Sequence, residues 1–177
     1  KGEILIERQI RQLHEAGITD ITIVVGYKSS QFHYLMEKFG VRLVMNEDYN
    51  VYNNTSSIIR VSDLLEDTYI CSSDNYFPSN VFMEKPAESY YSALYAEGKT
   101  SEYCMTLDEE DNITAVTIGG SDSWYMLGHA FFNKEFSKKF RQIMTEEYKD
   151  EKTKKEAELA SVELWNNGRV VNFGRGE

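Results

Sequence analysis

The stretch Tyr69-Ile-Cys-Ser-Ser-Asp-Asn-Tyr-Phe77 holds an apolar run that stops abruptly in Ser72, Ser73, Asp74 and Asn75. Its first half reads as a buried strand, and in an open α/β sheet ligands gather outside the carboxyl ends of the strands. A carboxylate set there by a strand can reach a metal-bound phosphate, because Mg²⁺ takes hard oxygen ligands and needs only one or two carboxylates beside substrate phosphates. Asp74 and Asn75 also suit a plain turn, a role both residue types fill well. The residues on either side have to decide between the two uses.

Upstream, helix and strand signals alternate. Ile4, Leu5, Ile6, Ile10, Leu13 and Ala16 form a helical stripe that Gly17 can end. Ile21 to Val25 is a β-branched run stopping at Gly26, which reads as a buried parallel strand. A second helix is expected from Ser29 or Ser30 to Phe39, with Gly40 as its stop, and a second strand from Val41 to Met45. The polar loop Asn46 to Asn54 leads into a third helix carrying Ile58, Ile59, Val61, Leu64 and Leu65, and Thr68 to Cys71 is the third strand. This order predicts an α/β fold, a doubly wound, Rossmann-like mixed sheet flanked by helices.

Downstream of Phe77 the rhythm changes. Pro78-Ser79-Asn80 is expected to start a short helix. Strands follow at Tyr90–Ala96, Tyr103–Leu107, Ile113–Ile118 and Tyr125–Phe132, with Asp108-Glu-Glu-Asp-Asn112 as an acidic turn. Phe136, Phe140, Ile143 and Met144 mark another helix, and Lys149 to Glu158 is a charge run suited to a solvated face or a linker. Residues 166–177 read as an irregular tail.

The 177 residues suffice for one domain with a sizeable core. A net charge of −10 argues against a nucleic-acid partner, which needs a basic footprint. No apolar run approaches the roughly 20 residues that span a bilayer, so no membrane segment is expected. Cys71 and Cys104 lie in apolar runs, which suggests reduced core thiols and a cytoplasmic protein, with a disulfide left open. His14, His33 and His129 show no metal-ligand spacing, and His129 on its strand either packs or faces a site. No Ser–His–Asp or Cys–His arrangement can be argued, so covalent catalysis is not expected.

Four of these stretches, in this order, resemble the nucleotidyltransferase family, which joins an NTP to a phosphorylated small molecule. The likeness is strongest to its bacterial CTP:phosphocholine cytidylyltransferases. Leu5-Ile-Glu-Arg-Gln-Ile10 is similar to the helix after the family's glycine-rich loop, and Ile21 to Tyr27 to its second strand and turn. Asn46 to Ser57 resembles its nucleotide-facing loop and helix start, and Ser72 to Asn75 its metal-carboxylate strand end. More weakly, Leu127-Gly-His-Ala-Phe-Phe132 is similar to a later glycine strand under the substrate. The family's G-x-G-x-R loop and Pro-Lys pair have no counterpart here, so the expectation is a single domain over 1–177, N-terminally incomplete and inert as it stands.

The resemblance implies a fold of the nucleotide-diphospho-sugar transferase type, with 1–77 as nucleotide-binding half and 78–165 as substrate-binding half. It implies Mg²⁺-dependent transfer of CMP from CTP to phosphocholine, giving CDP-choline and pyrophosphate. A sugar-1-phosphate nucleotidyltransferase and a non-catalytic nucleotide-binding domain are the alternatives, and a homodimer is left open. Asp74 becomes the catalytic carboxylate and a metal ligand, with a second metal ligand from Glu163 or Asn166 beside Leu164-Trp165. Asn53, Asn54, Thr55 and Ser56 would read the nucleotide, and the same residues suit an N-cap. Tyr103, Tyr125 and Trp165, with Trp124, are candidates for a cage around a quaternary ammonium, which aromatic faces attract. Tyr103 stands where the family sets a choline-facing aromatic; ordinary packing is the competing use of all four.

Overall fold

The computed structural model describes residues 2–52, 54–151 and 169–172. The chain divides into two compact units. One comprises Lys1–Leu64, Ser73–Lys85 and Gln142–Glu158, and the other Leu65–Ser72, Pro86–Arg141 and Leu159–Glu177.

In the first unit the apolar stripe near the N-terminus forms helix α1, Leu5–Glu15, which buries Gln9, Ile10, Gln12 and Leu13. Gly17 ends it in a left-handed conformation (φ +85°), its N–H donating to the His14 carbonyl while Ile18 N–H returns to Leu13. Strand β1, Thr22–Val25, pairs in parallel with β2, Arg42–Met45, with Thr22 opposite Arg42 and Val25 opposite Met45. Ile10, Leu35 and Val41 form the core beneath them, with Ile6, Ile21, Ile23, Phe32, Phe39 and Leu43 packed around it.

The expected helix from Ser29 to Phe39 is broken in two. A 3₁₀ turn at Ser29–Phe32 follows a left-handed Lys28 (φ 53°), and only Tyr34–Phe39 is α-helical, as α2. Ser29, Ser30, Phe32 and His33 are indifferent helix formers, and no side chain caps either piece. The third helix, α3, is likewise shorter than its apolar pattern: it covers Thr55–Arg60, and Ser62–Leu64 is a 3₁₀ turn. Pro78-Ser79-Asn80 starts no helix. The carbonyls of Phe77, Pro78 and Ser79 accept hydrogen bonds from side chains of α1, which replaces the internal bonding a helix would offer.

In the second unit β3, Thr68–Cys71, lies antiparallel to β5, Ile113–Phe132, which lies antiparallel to β4, Tyr90–Leu107. β6, Arg169–Asn172, adds in parallel to β4, so this part of the expected irregular tail is a strand. The order is β3-β5-β4-β6. Four expected strands thus merge into two long ones, but their register keeps four arms. Tyr90 to Ala96 pair with Phe131 to Ser123, and Tyr103 to Leu107 with Ile118 to Ile113. Cys104 and Met105 each have two partners, Thr117 and Tyr125, and Val116 and Trp124, so β5 flanks this part of β4 on both edges. The acidic turn forms as expected, with Asp108 Oδ1 accepting the N–H groups of Glu110 and Asn112. The Asn112 side chain, and after it those backbone bonds, hold its carboxyl below its ordinary value.

Helix α4, Lys134–Glu147, begins where Asn133 Oδ1 accepts the N–H of Phe136 at 2.9 Å, an N-cap bond. Phe136 and Phe140 of this helix pack at a tilt on Phe132, with centroids 4.5 and 5.0 Å from its ring. A parallel pair in one sheet, and antiparallel pairs joined by the parallel β6 in the other, make this a mixed α/β protein.

Candidate functional site

The carboxyl ends of β1 and β2 are built closely. A Cβ on Gly26, just past β1, would lie 2.6 Å from Cβ and Cγ of Tyr49, so the loop after β2 approaches to a distance only glycine permits. Asn46, the first residue past β2, is almost fully buried and donates its N–H to the Val25 carbonyl at 2.8 Å. Its Nδ2 donates to Ser56 Oγ at 2.7 Å and Ser57 Oγ at 3.1 Å, and its Oδ1 accepts the Asp48 N–H at 3.0 Å. Asp48 in turn pairs with Arg60 of α3. One buried amide therefore ties the loop after β2 to the start of α3.

That arrangement sorts the expected nucleotide residues. Thr55 and Ser56 are buried, and the Ser56 hydroxyl is engaged by Asn46. Asn54 is exposed at the helix start, with helical backbone and no side-chain cap bond. The exposed polar group here is thus Asn54, and Asn53 lies outside the described residues.

Asp74 is exposed on a turn, three residues beyond the end of β3. The next residue, Asn75, has its carbonyl held by Gln9 Nε2 at 3.0 Å. Tyr76 is exposed under the guanidinium of Arg8, 4.8 Å from its ring centroid. Phe77 turns inward onto Phe82, with centroids 6.0 Å apart. Among the described residues no group of three or more His, Cys, Asp or Glu side chains can hold a metal. A lone exposed carboxylate still fits Mg²⁺ that arrives on phosphates, since that ion keeps few protein ligands. Glu163, Trp165 and Asn166 lie outside the described residues.

In the second unit Tyr103 is 37% exposed and pairs with Ile118, itself 62% exposed. Tyr125 is half-buried with different ladder partners, Leu94 and Cys104, and Trp124 packs against the core of Ala93, Met105 and Ile113. Of these aromatics, Tyr103 presents the most accessible face. His129 packs inside its strand: Nδ1 lies 2.6 Å from Ser92 Oγ and the ring stacks on Tyr69 at 5.4 Å. Both members of this Ser–His pair are fully buried, so no substrate reaches them. Burial lowers the imidazole pKa to about 4 and pushes the Cys71 thiol up to about 12. Both cysteines are free thiols.

Asn46, Tyr49, Gln9 and Gln12 shape these loops and escaped the sequence reading. The visible signal was two glutamines on the apolar face of α1, where a buried amide demands partners.

No protein-family profile matches the chain. The chain is similar to choline-phosphate cytidylyltransferase of Streptococcus pneumoniae (strain R6), 35% identical over 144 residues that make up 81% of this chain and 63% of that protein. To 2-aminoethylphosphonate cytidylyltransferase of Lancefieldella rimae it is also 35% identical, over 153 residues, 84% of this chain and 62% of the other. The solved structure of CTP:phosphocholine cytidylyltransferase from Streptococcus pneumoniae matches with a TM-score of 0.88 at 30% identity, covering 96% of this chain and 76% of that one. The chain spans less than two thirds of the length of the curated relatives it matches.

Proposed function

The chain belongs to the nucleotidyltransferase family that includes the choline-phosphate cytidylyltransferases, and we propose that its protein transfers CMP from CTP to phosphocholine. The observation that carries this reading is the exposed Asp74 carboxylate on a held turn beyond β3. A phosphate oxygen of phosphocholine attacks the α-phosphorus in line, the bond from that phosphorus to the bridging oxygen breaks, and pyrophosphate leaves with the electron pair. Mg²⁺, when bound, neutralises charge on the phosphates. Asp74 would hold it and Asn54 would face the nucleotide; the trimethylammonium group has no N–H to donate and calls for an aromatic face such as that of Tyr103. The two free thiols favour a cytoplasmic protein.

The equal likeness to a 2-aminoethylphosphonate enzyme supports a second reading, in which the acceptor carries a primary ammonium. Such a group donates hydrogen bonds and prefers carboxylates or carbonyls to an aromatic face. Pyrophosphate release by the full-length protein, with a panel of NTPs against phosphocholine, 2-aminoethylphosphonate and sugar 1-phosphates, decides. CTP with phosphocholine is the expected pair. Preference for the phosphonate selects the second reading, turnover only with a sugar phosphate replaces both, and no release with any pair leaves a binding domain.

A further inference from the structure

Three side chains of α1 spend their donors on a stretch without regular structure. Gln9 Nε2 donates to the Asn75 carbonyl at 3.0 Å. Arg8 donates from Nε to the Phe77 carbonyl at 2.8 Å and from Nη2 to that of Pro78 at 2.7 Å. Gln12 Nε2 donates to the carbonyls of both Phe77 and Ser79 at 3.1 Å. Asn80 closes the clamp by donating to the Gln12 carbonyl at 2.8 Å. Glu3 steadies the guanidinium from its other side, accepting from Arg8 at 2.8 Å.

Gln9 and Gln12 are 5% and 3% exposed, beside Ile10 and Leu13. Aliphatic side chains would bury there without desolvation cost, whereas an amide needs its hydrogen bonds. Gln12 even keeps its Oε1 buried with no hydrogen-bond partner among the described residues. The carbonyls it serves require its NH₂, so the acceptor end is left facing the interior. The stretch so held starts at the residue next to Asp74, and Phe77 anchors it inward while Asp74 itself stays exposed.

We infer that Arg8, Gln9 and Gln12 are positioning residues that hold the Asp74 carboxylate in one place for the metal carried by the nucleotide. This rests on the reading of Asp74 as the metal carboxylate. A turn free to wander would lose conformational entropy each time it engaged the metal; a turn already ordered does not. Loss of the clamp should then weaken the contribution of the metal to nucleotide binding and leave metal-free binding alone.

The full-length protein carrying Gln9→Met, Gln12→Met or Arg8→Lys is titrated with CTP by calorimetry, once in Mg²⁺ and once in EDTA, beside thermal melts. Asp74→Asn serves as the reference and should abolish the gain in affinity that Mg²⁺ provides. Each glutamine variant should cut that gain by roughly three- to tenfold, the effect of one or two hydrogen bonds, with affinity in EDTA unchanged. Arg8→Lys, which keeps the charge without the fork, should fall between. Clamp variants that keep the whole gain while Asp74→Asn loses it overturn the inference and leave the role of Asp74 standing. An Asp74→Asn protein with the full gain, or an unaltered protein with none, defeats that role and the inference with it. Where Gln12→Met fails to fold, Gln9→Met decides.

Discussion

His129 Nδ1 and Ser92 Oγ lie 2.6 Å apart across β5 and β4, and neither side chain is exposed. The imidazole is neutral inside the fold because burial lowers its pKa from 6.5 to about 4. In the unfolded chain it takes a proton below 6.5, in the folded chain only below about 4. Unfolding therefore takes up a proton in that window. Stability is complete above 6.5 and declines as pH falls towards 4, by a total on the order of 3 kcal/mol. Urea unfolding of the unaltered protein and of His129→Gln from pH 7 downwards measures it. The variant should show a flatter profile between these limits, and an equal slope would contradict the assignment.

Asp74→Ala should abolish turnover in the full-length protein, by several orders of magnitude, since metal stabilisation of a phosphoryl transition state is worth several kcal/mol. The side chain is exposed, so the melting temperature should hold. Near-normal turnover at saturating Mg²⁺ is the outcome that removes Asp74 from the chemistry.

Tyr103→Ala should weaken phosphocholine binding by about 0.5–2 kcal/mol, and Tyr103→Phe by little, because the ring face and not the hydroxyl meets the cation. CTP affinity should be unchanged in both. If Tyr103 only packs on β4, the Ala variant melts lower and binds phosphocholine normally; calorimetry beside the melts separates the two.

Gly26→Ala would set a Cβ 2.6 Å from Cβ and Cγ of Tyr49, and the Tyr49 Cβ cannot move aside without its backbone. A loss of about 1–3 kcal/mol in urea unfolding is expected, typical of overpacking. Against the background of Tyr49→Gly, which removes both of those atoms, Gly26→Ala should lose most of this cost, and a strictly additive double variant would show that the two sites do not press on each other.

Elements with an uninterrupted apolar period and a clear stop were legible: α1 with Gly17, and β3 over Thr68–Cys71. Around Ser29 the period continued, but weak helix formers left Ser29–Phe32 as a 3₁₀ turn apart from α2. The arms of β4 and β5 were legible one by one, while their continuity through Lys99 and Thr100 comes from partners across the ladder, Ser121 and Gly120. For the candidate site, Asp74 is singled out by a local signal, the end of a strand. The clamp is not, because Gln9 and Gln12 find their carbonyls 66 and 65 residues away. Thr55 and Ser56 looked like capping or ligand groups, and only the buried Asn46 directs the Ser56 hydroxyl inward.

The place of β3 beside β5 bears on how this chain is made. β4 and β5 meet across a tight acidic turn, so their contacts are near in sequence and form early, whereas Thr68 must wait for Phe132. At roughly 5–20 residues per second on the ribosome, β3 spends several seconds synthesised but unpaired. An apolar strand edge bare for that long is a template for sticking to other chains. With only 4 residues, β3 offers such a template very little length.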